Sequence, residues 1–211
     1  MAEVFEKECT FEQILGEKVT GLTVKLGWDT KEQSLKDRIQ GRLEVATTGA
    51  SEKSYDLNLA AIVEYSDGTK SELVFHHGPG GHGADDAGSV LLGADDRTGF
   101  GKGSDETISI KLEEVPSNVN RIVLFMNIGN ANLVNQKLAD VDGTFVQIES
   151  TDSCEVLLRE EEAFKNEEAK KYCCYAFAAV CREENNWVLR GMARYSTEDR
   201  ELETLNAFIH K

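Results

Sequence analysis

The stretch that decides the fold is RIVLFMNI at Arg121–Ile128, an almost continuous apolar run rich in β-branched residues. Eight residues of this kind are typical of a strand that is covered on both faces, as at the centre of a sheet. Pro116-Ser117-Asn118 separates this run from Thr107–Leu112, where apolar and polar residues alternate. Alternation of that kind indicates a half-buried strand. The middle of the chain therefore predicts a sheet built around residues 121–128.

Similar patterns recur outward in both directions, and helical periodicity is scarce. Asp67-Gly68 lies between two strand-like runs and is a strong signal for a hairpin. About ten strands with long connections predict an all-β fold, a β-sandwich of two packed sheets with short peripheral helices. The other predicted strands are Leu22–Trp28, Asp56–Tyr65, Glu72–Phe75, Phe145–Ile148, Cys154–Leu158, Tyr172–Cys181 and Trp187–Tyr195.

One helix is predicted at the C-terminus, over residues 196–211. Ser196 or Thr197 can cap it, and acidic residues follow at the positive end of the helix dipole. Two polar stretches are predicted to be irregular or exposed. Residues 30–55 are expected to form a flexible insertion, and the charge-dense residues 159–171 a short exposed helix. We treat residues 1–211 as a single domain.

The charge balance excludes several classes of protein. The 211 residues include 23 Lys+Arg and 38 Asp+Glu, a net charge of −15. Such a chain repels phosphates, so we expect no nucleic-acid partner, and it attracts cations. No run approaches the ~20 apolar residues of a membrane span, so we expect no integral membrane segment. The acidic N-terminus and five cysteines without a Cys-x-x-Cys motif indicate reduced thiols and a cytoplasmic location.

A glycine-rich acidic loop is the most informative local feature. Asp95, Asp96, Asp105 and Glu106 flank three glycines at alternate positions, residues 99, 101 and 103. Glycines permit tight turns that point backbone carbonyls inward, and carboxylates with carbonyls are the ligands that Ca²⁺ prefers. From these residues alone, a calcium loop and a solvated acidic hairpin turn both remain open.

The sequence gives little support to an EF-hand, a phosphate-binding loop, a zinc site or a catalytic nucleophile. Asp140–Glu149 imitates part of an EF-hand, but Leu138 at the first ligand position cannot ligate and a strand follows. The glycine spacing fits neither a Walker loop nor a dinucleotide fingerprint. A zinc site at His76, His77 and His82 is conceivable, but adjacent residues of a strand face opposite sides. No nucleophile has an evident activating neighbour, so we expect a protein that is not an enzyme.

Four segments in one order resemble the TerD-type tellurium-resistance and stress-response family. They are Gly27-Trp28-Asp29, then Asp56–Ala61, then Asp95–Glu106, and finally Val115–Val123. The third matches a long family pattern in which glycines alternate between an Asp-Asn pair and an Asp-Asp-Glu ending. The likeness covers about residues 22–148. It implies a β-sandwich that binds calcium between the second segment and the acidic loop.

The resemblance also implies ligands, residue by residue. Asp56 and Asn58 match the acids of an Asp-Leu-Asp motif, and two positions apart on a strand they face one side. The loop would add its carboxylates and two glycine carbonyls, with Asp29 and Asn130 as weaker matches. Asn58, Lys102, Ser104 and Asn130 stand where the family commonly has acids, which lowers the expected Ca²⁺ affinity. The full candidate set is Asp29, Asp56, Asn58, Asp95, Asp96, Gly99, Gly101, Asp105, Glu106 and Asn130.

The function predicted from this resemblance is a non-enzymatic calcium-binding module, with one or two ions, that acts with protein partners in stress or signalling complexes. The alternative is a module that binds a cyclic nucleotide or another small anionic ligand through a bridging metal. That alternative needs a basic neighbour, for which Arg97, Lys102 and the loop of residues 76–82 are the candidates.

Overall fold

A computed structural model of the protein places twelve strands, among the residues it describes, in two antiparallel sheets. The described residues are 4–6, 11–16, 19–29, 43, 47, 55–66, 71–75, 83–94, 103–184 and 186–199. The predicted β-sandwich is therefore confirmed, with two strands more than the expected ten.

The first sheet has seven strands in the order β1-β12-β11-β8-β4-β5, with β2 also paired to β12. The predicted central strand, β8, lies between β4 and β11, and all its residues from 122 to 128 are buried. Strands β4 and β5 pair as the Asp-Gly signal predicted. The strands are β1 Val4–Glu6, β2 Glu12–Leu15, β4 Leu57–Tyr65, β5 Ser71–Val74, β8 Val119–Ile128, β11 Cys174–Glu183 and β12 Asn186–Ser196.

The second sheet has five strands in the order β10-β9-β3-β7-β6. Its strands are β3 Gly21–Asp29, β6 Val90–Leu92, β7 Glu106–Lys111, β9 Asp142–Ser150 and β10 Val156–Glu160. Strand β9 begins at Asp142, so the EF-hand-like spacing falls on a strand, as expected. Short helices lie at the periphery: Ala131–Val134, and two 3₁₀ helices at Leu138–Asp140 and Glu162–Phe164.

The alternation of the strands builds the core between the sheets. Val24 and Ile108 of the second sheet and Leu59, Leu124 and Phe177 of the first are fully buried there. The outer face of the first sheet carries a second buried apolar cluster that includes Ile62, Val123 and Phe125. At about 25 cal/mol per Å² of buried apolar surface, these two clusters supply most of the driving force for folding.

Three predictions about helices and loops need correction. Ser196 is the last residue of β12, and residues 197–199 are not helical, so the expected C-terminal helix does not begin at Ser196. Residues 200–211, the rest of that prediction, lie outside the described residues. Tyr55, the last residue of the predicted flexible insertion, is buried in the core. The charged stretch after β10 forms only a three-residue 3₁₀ helix and turns, within which three ion pairs join side chains three residues apart.

Candidate metal centre

The described candidate ligands lie at one end of the sandwich, where β4 and β7 begin and β3 and β8 end. We call this end, defined by Asp29, Asp56, Asp105, Glu106 and Asn130, the acidic end. The opposite end, where β4 ends and β8 begins, is called the clamped end. Four separate parts of the chain come to the acidic end.

Asp56 and Asn58 share a gap that a glycine leaves open. The backbone N–H of Gly129 donates to the carbonyl oxygen of Asp56 at 2.8 Å, which extends the β4–β8 ladder by one pair. A Cβ at position 129 would lie 2.8 Å from Nδ2 of Asn58 and 3.6 Å from Oδ2 of Asp56. Both polar side chains therefore turn to the same side, as their spacing predicted, and occupy space that any larger residue at position 129 would take.

Glu106 reaches from one sheet to the other. Its side chain is buried, and Oε2 accepts a hydrogen bond from the backbone N–H of Leu59 at 2.6 Å. Strand β5 pairs with β4 only from Ala61 onward, so the carboxylate takes the place of a strand partner at Leu59. The first residue of β7 is thus fixed beside the strand that carries Asn58.

Asp105 fastens the acidic loop to β3. Its Oδ2 accepts a hydrogen bond from the backbone N–H of Trp28 at 2.9 Å, and its own N–H donates to the carbonyl oxygen of Leu26 at 2.8 Å. Trp28 is buried in the core, so Asp105 is bound to a residue that is packed between the sheets. Each carboxylate of the Asp105–Glu106 pair thus uses one oxygen to hold a backbone N–H of a different sheet.

Asp29 lies beside an acidic residue that the sequence did not connect with it. Asp29 pairs directly with Asp142 across β3 and β9. Gly143 adopts a φ of +63°, and a Cβ there would collide with the carboxylate of Asp29. The pair forms because the register of the two strands shifts by one residue between Gly27 and Asp29, and such an irregularity between distant strands is not readable from one sequence.

Asn130 follows Gly129 and adopts a left-handed φ of 53° at the start of the short helix Ala131–Val134. It therefore lies one residue from the gap occupied by Asp56 and Asn58. Gly129 itself was not among the predicted site residues, although a glycine directly after a long buried strand is a signal of close approach by another group.

The remaining candidates lie outside the described residues. These are Asp95, Asp96, Gly99 and Gly101, and with them Arg97, Lys102 and His76, His77 and His82. Within the part of the chain that is described, no three Asp, Glu, His or Cys side chains come close enough to enclose a metal ion. The candidate side chains of Asp56, Asn58 and Glu106 each carry an oxygen, although the Asn58 atom nearest Gly129 is Nδ2. That chemistry fits a hard cation such as Ca²⁺ and does not fit a thiolate-preferring metal.

None of the described cysteines belongs to the candidate ligand set. The described cysteines, Cys154, Cys173, Cys174 and Cys181, form no disulfide. Cys173 packs into the core between the sheets and Cys174 into the outer cluster, so the adjacent pair faces opposite sides, as predicted. No helix in the described ranges is long and apolar enough to cross a bilayer.

Comparison with known proteins agrees with this architecture. The sequence model of the TerD domain matches residues 9–206. The tellurium resistance protein TerD of Serratia marcescens is 27% identical over 174 residues, which cover 81% of this chain and 78% of that protein. The TerX protein of the same species is 26% identical over 205 residues, covering 90% and 91% of the two chains. The general stress protein 16U of Bacillus subtilis is 35% identical over 72 residues, 34% of this chain and 37% of that protein.

Two crystal structures share the fold. A protein of unknown function, SAV2460, superimposes with a TM-score of 0.69 at 14% identity, covering 92% of this chain and 99% of that one. A TerD homologue from Streptomyces coelicolor A3(2) gives 0.61 at 17% identity, covering 90% and 95%. Together with the family match over nearly the whole sequence, these findings establish that the chain belongs to the TerD domain family.

Proposed function

We propose that the chain is a calcium-binding TerD-type domain of the stress-response class, in which Ca²⁺ is held at the acidic end. The observation that supports this proposal most directly is the gap at Gly129. Asp56 and Asn58 both turn toward this gap, and Glu106 is anchored to the next residue of β4. Asp56 and Asn58 thus lie on one side of the start of β4, and Glu106 of the second sheet is held to the same strand at Leu59.

The second half of the ligand set would come from the acidic loop. Ca²⁺ takes six to eight oxygens at ~2.3–2.6 Å, more than the described side chains can provide. Asp95, Asp96 and the carbonyls of Gly99 and Gly101 are the proposed remainder. Bound Ca²⁺ would neutralise these crowded carboxylates, and a ligand that binds only the folded state stabilises it by about 2.7 kcal/mol at 100 times its Kd.

The role we propose is binding, without catalysis. The domain would act in a stress response, as the names of its relatives suggest for those proteins, by changing its stability or its contacts with protein partners when one or two Ca²⁺ ions bind. The oxygen-only donor set and the absence of an activated nucleophile among the described residues favour this role over hydrolysis.

Titration of Ca²⁺ into metal-stripped protein tests the proposal. We expect heat in calorimetry and a rise in melting temperature at millimolar Ca²⁺, and we expect both to vanish in the Asp95→Ala/Asp105→Ala double variant. Glu64→Gln is the matched control, because Glu64 is an acid of β4 at the clamped end, where it pairs with Arg121. Asp142 is a poor control, since it faces Asp29. Wild-type protein that shows neither heat nor stabilisation would refute the proposal.

A further inference from the structure

A row of buried polar side chains crosses the first sheet. Asn58 of β4, Asn127 of β8, Cys174 of β11 and Ser196 of β12 lie directly opposite one another in register. None is more than 7% exposed. The next row along the same face contains Ala60, Phe125 and Ala176, and its member on β12 is the buried Arg194. Burial of polar side chains costs free energy unless they are hydrogen-bonded. The hydrogen-bond partners of this row therefore indicate what the row does.

Asn127, an inner member of the row, holds the segment that follows β12. We call residues 197–199 the C-terminal strap. Nδ2 of Asn127 donates to the carbonyl oxygen of Asp199 at 2.9 Å. From the short helix after β8, Asn132 donates its backbone N–H to Oδ2 of Asp199 at 2.7 Å and its Nδ2 to the carbonyl oxygen of Thr197 at 3.0 Å.

Cys173, which packs into the core between the sheets, makes a further contact with the strap. Its Sγ donates to the carbonyl oxygen of Thr197 at 3.3 Å. Burial, followed by the nearby carboxylate of Asp199, raises the pKa of Cys173 to about 12, so the thiol keeps its proton and remains a donor. The strap is therefore attached at several points, and every one of these points lies on β8, on the helix that follows it, or next to β11.

The amide of Asn127 lies between the C-terminal strap and Asn58. Its Nδ2 holds the strap, whereas its Oδ1 is buried and accepts no hydrogen bond from the described residues. Its neighbour in the row is Asn58, a candidate calcium ligand. A cation bound to Oδ1 of Asn58 orients that amide with Nδ2 away from the metal, and a buried carbonyl oxygen without a donor lies on the adjacent strand.

We propose that Asn127 couples cation binding at Asp56 and Asn58 to docking of the C-terminal strap. This inference rests on the proposed calcium function. Binding of Ca²⁺ fixes the Asn58 amide, Asn58 then donates to Asn127, and the planar Asn127 amide is held in the orientation that bonds Asp199. The five residues from Asn127 to Ala131 belong to one continuous segment that borders both sites, so the same backbone serves the ligands and the strap.

Hydrogen exchange of the full chain with and without Ca²⁺ tests the coupling, beside calorimetry on the same samples. In wild-type protein, Ca²⁺ should slow amide exchange in the strap at least about fivefold, the lower range of measured couplings. Asn127→Leu keeps the size of the side chain and removes the amide. Calorimetry should still detect Ca²⁺ binding to this variant. The amides of its strap should exchange at the same rate with and without Ca²⁺. Asn132→Ala, the control, should speed exchange in both conditions and keep the response to Ca²⁺.

The reciprocal experiment does not depend on the folding of Asn127→Leu. Because coupling acts equally in both directions, loosening the strap through Asp199→Ala should raise the Kd for Ca²⁺ about fivefold. An unchanged Kd in Asp199→Ala, or a strap that ignores Ca²⁺ in wild-type protein that binds it, overturns the coupling and leaves the calcium proposal standing. Absence of any heat from wild-type protein overturns both.

Discussion

The two ends of the sandwich use charge in different ways. At the clamped end, guanidinium groups complete the contacts: Arg121 pairs with Glu64, and Arg182 donates to the carbonyl oxygens of Val115, Pro116 and Val119. At the acidic end, carboxylates hold backbone N–H groups: Asp105 holds Trp28 and Glu106 holds Leu59. Both arrangements satisfy buried polar groups of loops and strand ends.

The difference predicts which end responds to a cation. At the clamped end, the carboxylate and the carbonyl oxygens already have a guanidinium as their partner, so an added cation gains little by binding there. A carboxylate that holds a neutral N–H keeps its negative charge, and several such groups side by side attract a cation. Substitutions at the clamped end should therefore change stability alone, whereas those at the acidic end should also change the response to Ca²⁺.

The largest loss of stability is expected from Arg182→Ala. The substitution removes the donor to three backbone carbonyls and a guanidinium that stacks 4.1 Å from the ring centroid of Trp187. We expect the free energy of unfolding to fall by about 3 kcal/mol, since hydrogen bonds to charged groups and a cation–π contact are lost together. Urea denaturation measures this loss. The stabilisation that Ca²⁺ adds should stay at the wild-type value, and a smaller value would contradict the separation of the two ends.

The next largest effect belongs to Glu106→Ala at the acidic end. Without the carboxylate, the buried N–H of Leu59 loses its acceptor, which costs about 2 kcal/mol. The stabilisation by Ca²⁺ should disappear as well, because a proposed ligand is removed. Denaturation of metal-free and Ca²⁺-loaded protein measures the two quantities separately.

Glu106→Gln separates the two roles of this side chain. Glutamine keeps an oxygen that can accept from Leu59, so the metal-free protein should lose less stability than in Glu106→Ala. The negative charge is gone, so Ca²⁺ binding should still be lost. If Glu106→Gln binds Ca²⁺ as well as wild-type protein does, Glu106 has a structural role only.

The strands were predictable because their evidence is local. Residues 121–128 carry an apolar, β-branched run that is typical of a doubly covered strand, and residues 122–128 of β8 are buried. The hairpin of β4 and β5 followed from a turn signal. Strands β1, β2 and β6 were missed, since they are three or four residues long and lie at sheet edges, where few side chains need to be apolar.

The site was predictable in its parts and not in its geometry. The spacing of Asp56 and Asn58 fixed their common face, and the glycine-rich pattern marked Asp105 and Glu106. The gap at Gly129 and the pairing of Asp29 with Asp142 depend on the register of strands far apart in sequence. No local pattern encodes that register, because it is set by how both sheets pack.

Gly129→Ala tests the gap directly, with a smaller effect on stability than on binding. A Cβ 2.8 Å from Nδ2 of Asn58 forces that flexible amide aside, at a cost of about 1 kcal/mol or less. The displaced amide should raise the Kd for Ca²⁺ about tenfold, which calorimetry measures and which corresponds to about 1.4 kcal/mol. Gly16→Ala, where a Cβ meets nothing within 4 Å, is the matched control and should leave the Kd unchanged.

The smallest effects are expected from Asp142→Asn and Asp152→Asn, which remove one negative charge at each end. Asp142 faces Asp29 directly, and like charges in that position destabilise a sheet, so the first variant should gain less than about 1 kcal/mol in metal-free, low-salt buffer. That gain should vanish in 1 M salt.

The second variant should change stability in the opposite direction. Asp152 accepts hydrogen bonds from the hydroxyl and backbone N–H of Thr20 at 2.8 and 2.7 Å, and these bonds hold the pKa of Asp152 below its usual value. A lowered pKa means that the ionised carboxylate stabilises the fold above its unfolded pKa and that this contribution is lost as the pH falls through the folded value. Asp152→Asn should therefore weaken the protein at neutral pH and change little in acid. If both variants instead stabilise the protein, the net charge of −15 governs its stability as a bulk property, and the contrast between the two ends fails.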